Sequence, residues 1–87
     1  MAKVEIPSLM RDLTQGQHRV EVPGRTVRQV IEALDERYPG VKGRLCRGDE
    51  LSSTITVSVD GHISRRGLFQ RVSEQSEVRF LPVIEGG

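Results

Sequence analysis

The sequence contains one cysteine, Cys46, which excludes an internal disulfide and a cysteine-rich zinc site. It also lacks an excess of either charge. Thirteen Lys and Arg against twelve Asp and Glu leave a formal net charge of +1, so no global field draws the chain to nucleic acid or to an anionic membrane. Any partner must therefore be recognised locally. Long apolar runs are missing as well: nothing approaches the ~20 residues of a membrane span, and the opening "MAKVEIPSLM" has no apolar segment of signal-peptide length. A cytoplasmic protein with no membrane partner is expected. The glycines do not fall in a nucleotide-binding pattern, so the chain should not bind ATP by itself. No repeat or low-complexity run breaks the 87 residues, a length that suits one domain.

What is present is short alternation interrupted by turn residues. Val4-Glu5-Ile6 alternates apolar with charged before Pro7, which predicts a first strand over about residues 2 to 9. After a turn at Gly16, Val20 and Val22 point to one side of a second strand, completing an N-terminal hairpin. Pro23-Gly24 ends it. Thr26 stands three residues before Gln29, the spacing of a capping box, and Val27, Val30, Ile31, Leu34 and Tyr38 then follow at helical intervals until Pro39-Gly40. The polar stretch "VKGRLCRGDELSS" reads as a connector anchored by Val41 and Leu45 in a short helical turn. Thr54 to Val59 is the clearest alternation in the chain and predicts a third strand, with hydroxyls facing out, closed by Asp60-Gly61. His62-Ile63-Ser64 makes a short fourth strand, Leu68 and Phe69 plug the core from a turn, and Val78-Arg79-Phe80 forms the last strand. Two strands, a crossover helix and returning strands predict an α+β fold of the β-grasp type, a mixed four- to five-stranded sheet packed on one main helix. The expected division is a domain over 1–80 and a projecting tail over 81–87.

Enzyme chemistry needs converging groups, and few are visible. Neither His18 nor His62 sits at metal-ligand spacing from a cysteine or another histidine, so no metal site is expected. Cys46 beside Leu45 reads as a small apolar residue. Arg65-Arg66 has no aromatic platform of the kind used on single-stranded RNA and reads as a solvated turn, with no nucleic-acid partner. Tyr38, Phe69 and Phe80 read as core.

The sequence ends in "FLPVIEGG". With Val78 and Phe80 facing the core, Leu81 should face outward, where a polar residue is expected, and Pro82, Val83 and Ile84 extend it into a small apolar patch. Proline stiffens the exit, since its φ is fixed and it cannot join a central ladder. Gly86-Gly87 can pass through a narrow channel and lay a carboxylate against a nucleotide phosphate, an approach that any Cβ would obstruct. Adenylation would turn that carboxylate into an electrophile for sulfide or a thiol. No protease is expected to be needed to expose Gly87.

On this motif the chain resembles the ubiquitin-like sulfur-carrier family, which includes the molybdopterin-synthase small subunit and the thiamine sulfur carrier. The order of elements extends the resemblance over the whole chain. "VEIPSLMRDLTQGQHRVEVPGRTVRQVIEALDERYPGV" resembles the cysteine-biosynthesis branch, through its "IP", its "GQ" and a helix ending "YPG". The resemblance implies a protein co-substrate and not an enzyme. Gly87 would be adenylated by a ubiquitin-activating-like enzyme that uses ATP, then converted to a thiocarboxylate with sulfur from a donor. The carrier itself would bind no cofactor and would be a monomer when free. Gly86 would keep the approach open, while Phe80, Leu81, Pro82, Val83, Ile84 and Glu85 would seat the tail on the partner, the charge of Glu85 calling for a matching cation there. The sulfur would pass to an accepting synthase, for cysteine first, with the molybdenum cofactor, the thiamine thiazole or a tRNA base as alternatives. Two other functions fit the same end: a ubiquitin-like modifier joined to lysines, and an interaction domain whose glycines are idle.

Overall fold

The computed structural model of the chain describes residues 1–83. Ile84, Glu85, Gly86 and Gly87 lie outside the described residues. Strand β1 (Ala2–Glu5) pairs antiparallel with β2 (Arg19–Val22), and the chain then enters helix α1 (Val27–Arg37). A short helix α2 (Val41–Leu45) leads into a small hairpin of β3 (Cys46–Arg47) and β4 (Glu50–Leu51). The main sheet resumes with β5 (Ile55–Val59) and β6 (His62–Ile63), and β7 (Glu77–Pro82) closes it. The strand order is β2-β1-β7-β5-β6, with β1 and β7 parallel and the other pairs antiparallel. This five-stranded mixed sheet on one main helix is the expected β-grasp arrangement.

The crossover helix forms where its cap predicts. Gln29 N–H donates to the Thr26 hydroxyl at 3.2 Å, while the Gln29 side-chain oxygen accepts from Arg25 N–H at 2.8 Å, one residue before the cap. The cap segment is also held by residues 70–72: Val27 N–H donates to Gln70 O, and Val72 N–H to Arg25 O. The helix stops at Tyr38, and Gly40 takes φ +107°, a conformation that side chains rarely adopt. Asp35 pins this corner, accepting from the backbone N–H groups of Gly40 at 3.2 Å and Lys42 at 3.0 Å.

The register brings one apolar row against the helix. Val4 lies opposite both Val20 and Val78, Val59 opposite Val78, and Val57 opposite Phe80. Val27, Val30, Ile31 and Leu34 of α1 cover that row and are fully buried, with Val41 and Leu45 of α2 beside them. Each such side chain contributes about 1.5–3 kcal/mol of gross burial. Among the described residues no helix is long and apolar enough to cross a membrane.

Several expectations are corrected. The first strand stops at Glu5 instead of running to residue 9, because Pro7 is followed by a 3-10 turn over Ser8–Met10. Its route is then set by Thr14, fully buried, whose hydroxyl hydrogen-bonds Gln17 O at 3.0 Å. Phe69 does not plug the core. It is 75% exposed, while its neighbour Leu68 is buried, since a 3-10 turn over Gly67–Phe69 sends adjacent side chains in different directions. Tyr38 is half-buried at the core margin and lies beneath the Arg37 guanidinium. Ser58 faces the outer side of the sheet as expected, yet it is buried between its cross-strand neighbours Arg79 and Ile63. The β3–β4 hairpin lies within the stretch read as a connector.

Candidate functional site at the open edge of the last strand

The last strand begins in the centre of the sheet and ends at an edge. Lys3, Val4 and Glu5 of β1 flank Glu77, Val78 and Arg79, but β1 goes no further. Ile6 N–H donates to His18 O at 2.8 Å, and Pro7 starts the turn that carries the chain away. On the other side β5 continues: Val57, Thr56 and Ile55 lie opposite Phe80, Leu81 and Pro82. The strand thus extends two residues past the expected boundary at residue 80, so Leu81 and Pro82 are paired and not projecting. Val83 N–H donates to Thr54 O at 2.8 Å and holds the exit against the sheet.

That bond also sets the direction of the backbone groups. Positions 79, 81 and 83 face β5, so Phe80 turns its backbone groups to the side where β1 ends and Pro82 to the open side beyond it. Pro82 has no N–H to offer there. Proline is therefore tolerated inside this strand, at the one stretch where β7 is an edge, and it removes a donor that another strand could use.

The space vacated by β1 is a groove of about 410 Å³. Its walls include Ile6, Pro7 and Met10 on one side, Ile55 on the other, and Phe80, Leu81 and Pro82 along the strand, with Arg11, Arg44, Glu5 and Arg79 at its margins. Phe80 is 3% exposed and anchors the strand in the core. Leu81 is half-buried and faces outward as expected, while Pro82 and Val83 are exposed. Of the expected site residues, the structure brings Phe80, Leu81 and Pro82 to the groove, with Val83 following them at the exit; the other four, Ile84 to Gly87, lie outside the described residues. Ile6, Met10 and Ile55 were not singled out as site residues from sequence, since each reads locally as core.

The polar margin is organised by ion pairs. Arg79 is hydrogen-bonded to Glu5 and holds that carboxyl below its ordinary value, with lesser contributions from the charges of Arg19 and Arg11. Arg44 donates to both carboxylate oxygens of Asp12, at 3.3 and 3.1 Å. Cys46 is elsewhere, half-buried beside α1 and α2, and burial pushes its thiol up, away from the activated thiolate range. His18 and His62 are both exposed, and among the described residues no three His, Cys, Asp or Glu side chains are grouped to hold a metal. The described residues present an apolar groove beside an exiting chain, with no nucleophile and base assembled among them.

Comparison with known proteins agrees with this fold. A family model described as the ThiS family matches residues 4–87. The sulfur carrier protein CysO of Mycobacterium tuberculosis is 30% identical over 89 aligned residues, which cover 97% of this chain and 96% of that protein. The crystal structure of the Amycolatopsis orientalis BexX/CysO complex contains a chain of 32% identity that superposes with a TM-score of 0.92, covering 100% of both chains. The crystal structure of Mycobacterium tuberculosis CysO gives a TM-score of 0.89 at 28% identity, covering 97% of this chain and 100% of the other.

Proposed function

This chain belongs to the ThiS family, and from that premise we propose that it is a sulfur carrier whose Gly87 carboxylate becomes a thiocarboxylate and donates sulfur in the biosynthesis of cysteine. The observation that carries the reading is the reach of the family match, which runs through residue 87 and so takes in the glycines together with the domain behind them. Likeness to CysO over nearly the whole chain favours cysteine among the possible products.

The chemistry divides between proteins. The Gly87 carboxylate attacks the α-phosphorus of ATP in a ubiquitin-activating-like enzyme, giving an acyl adenylate and releasing pyrophosphate. Sulfide supplied by a donor then attacks the acyl carbon as HS⁻, AMP leaves with its electron pair, and one oxygen of the terminus is replaced by sulfur. The carrier supplies the reacting carboxylate and its delivery; the ATP and the catalytic groups belong to the partner. It is a protein co-substrate and not itself an enzyme. Phe80 to Val83 fix where the tail leaves the sheet, and the groove beside them seats the activating enzyme. That a CysO chain has been solved in a complex with BexX supports assembly with partner proteins for this chain too.

The test is mass spectrometry of the chain after incubation with the activating enzyme, ATP and a sulfur donor. A gain equal to sulfur replacing oxygen, located at Gly87 and abolished by deleting that residue, is expected. Lysine-linked conjugates in place of that gain would identify a protein modifier, and full function without both glycines would identify an interaction domain.

A further inference from the structure

The main helix covers the inner side of the sheet, and among the described residues nothing covers the outer side of β2, β1 and β7. Lys3, Arg19, Glu21, Glu77 and Arg79 are exposed there, with Glu5 half-buried among them. The register sorts these charges into two rows. Glu21, Lys3 and Glu77 lie side by side across the three strands, and Arg19, Glu5 and Arg79 do the same two residues further along β1. The first row reads negative, positive, negative, and the second reads positive, negative, positive. A hollow of about 190 Å³ opens between them, lined by Val4 and Val78 and by charges of both rows.

The fold uses only part of this charge. Arg79 is bonded to Glu5, but Lys3, Arg19, Glu21 and Glu77 form no ion pair among the described residues, although each lies opposite a counter-charge. Their donors and carboxylate oxygens are available to another molecule. A partner that answers the pattern must carry its reverse, and a second copy of this chain does. A two-fold axis that runs across the strands, along the hollow, exchanges the two rows. It sets Glu21 over Arg19 of a second copy, Lys3 over Glu5 of that copy, and Glu77 over its Arg79, so that opposite charges meet at every facing position. Stacked sheets lie about 10 Å apart with their strands within about 30° of alignment, a gap that facing side chains of this length span. An axis along the strands would instead set Lys3 on Lys3 and Glu5 on Glu5. The pattern therefore selects the orientation as well as the partner.

We infer that this outer face is a salt-sensitive self-association surface, on which two copies stack with their strands reversed and each row of charges meets the opposite row. The face is small and polar, so the pair is weak and transient. Because the axis reverses the strands, the two exits at Pro82 lie at opposite ends of the pair. The inference concerns this chain alone and stands apart from the sulfur-carrier reading.

The test is sedimentation equilibrium of the full chain over about 1 μM to 1 mM, at ionic strengths of about 0.01 M and about 1 M, where charges are screened beyond about 30 and about 3 Å. A monomer–dimer equilibrium at low salt that weakens at least about tenfold at high salt is expected. Arg19→Glu and Glu21→Arg should each dimerise at least about tenfold more weakly than the wild type, since each change sets like charges over one another twice. Mixed in equal amounts, the two variants should regain the wild-type affinity as a heterodimer, because their changes face each other. Glu36→Arg and Arg47→Glu, at exposed positions on α1 and β3, change the net charge equally and should dimerise as the wild type does. A wild type that stays monomeric at low salt would overturn the inference, and so would a dimer indifferent to salt. Folded variants that dimerise like the wild type, or that weaken without recovering on mixing, would remove the contact between rows and overturn it as stated. Melting curves show whether each variant is folded, and the wild-type salt series decides the inference should one of them not fold. None of these outcomes touches the mass gain at Gly87.

Discussion

Residues 77–79 of β7 lie between β1 and β5, whereas residues 80–82 have β5 on one side and an open groove on the other. Both halves alternate inward and outward, but their outward surfaces differ. In the first half, Lys3 lies opposite Glu21 and Glu77, and Glu5 lies opposite Arg19 and Arg79, so opposite charges face one another on both sides of β1, and Arg79 is paired with Glu5. In the second half the outward residues are Leu81 and the half-buried Thr56 across from it, and the neighbouring strand has gone. A surface of interleaved opposite charges offers little to an apolar partner, while an apolar strand end beside a groove gains by being covered. The same strand is thus charged at its start and suited to apolar recognition at its end.

The strongest way to break this comparison is through Phe80, which belongs to the second half by position but to the core by burial. Phe80→Ala should destabilise the fold by about 3–5 kcal/mol, whereas Phe69→Ala, at the exposed turn, should stay within about 0.5 kcal/mol. Chemical denaturation of the two variants would show it; similar losses would contradict the placement of Phe69. A smaller effect is expected from Pro82→Ala. Restoring an N–H on the open side should lower stability by about 0.4–1 kcal/mol through the unfolded chain. It should also raise concentration-dependent self-association in sedimentation velocity, because the edge regains a donor. An edge that stayed monomeric would show that proline does not protect it.

The smallest effect sharpens the charged half. The Glu5 carboxyl is held below its ordinary value mainly by its hydrogen bond from Arg79. The folded state therefore binds fewer protons than the unfolded state in the acid range. The stabilisation is fully present above the ordinary glutamate value of 4.5 and is lost as pH falls through the lower folded value. Glu5→Gln should flatten that part of the melting temperature against pH, and only slightly, because the pair is exposed. An unchanged profile would mean that the pair contributes nothing measurable.

Much of this was legible along the chain because it depends on near neighbours. The Thr26 cap, the buried positions of α1, the turn at Gly40 and the anchors Val41 and Leu45 all follow from residues within a few places of one another. Phe69 was misread because Leu68 and Phe69 are equally apolar, and only the 3-10 turn decides which of the two faces in. Arg11 was passed over because an arginine in a polar stretch carries no local mark of its place at the groove. One residue of the tail was placed by its own pattern: Leu81 faces outward as the alternation requires, although it does so inside the strand.

By itself, the sequence determined the main helix and the main-sheet strands, the apolar faces that pack together, the β-grasp class and the family to which the terminal motif points, since these rest on periodicity, turn chemistry and motif. Only the tertiary structure decided that β1 stops beside Arg79, that β7 continues without it, and that Ile6, Met10 and Ile55 become the walls of a groove with Arg11 at its margin. The physical reason is that a strand's edge is defined by the neighbour it lacks. In this sheet the neighbour of the last strand is the first, at the far end of the chain, and no local pattern records where that pairing ends.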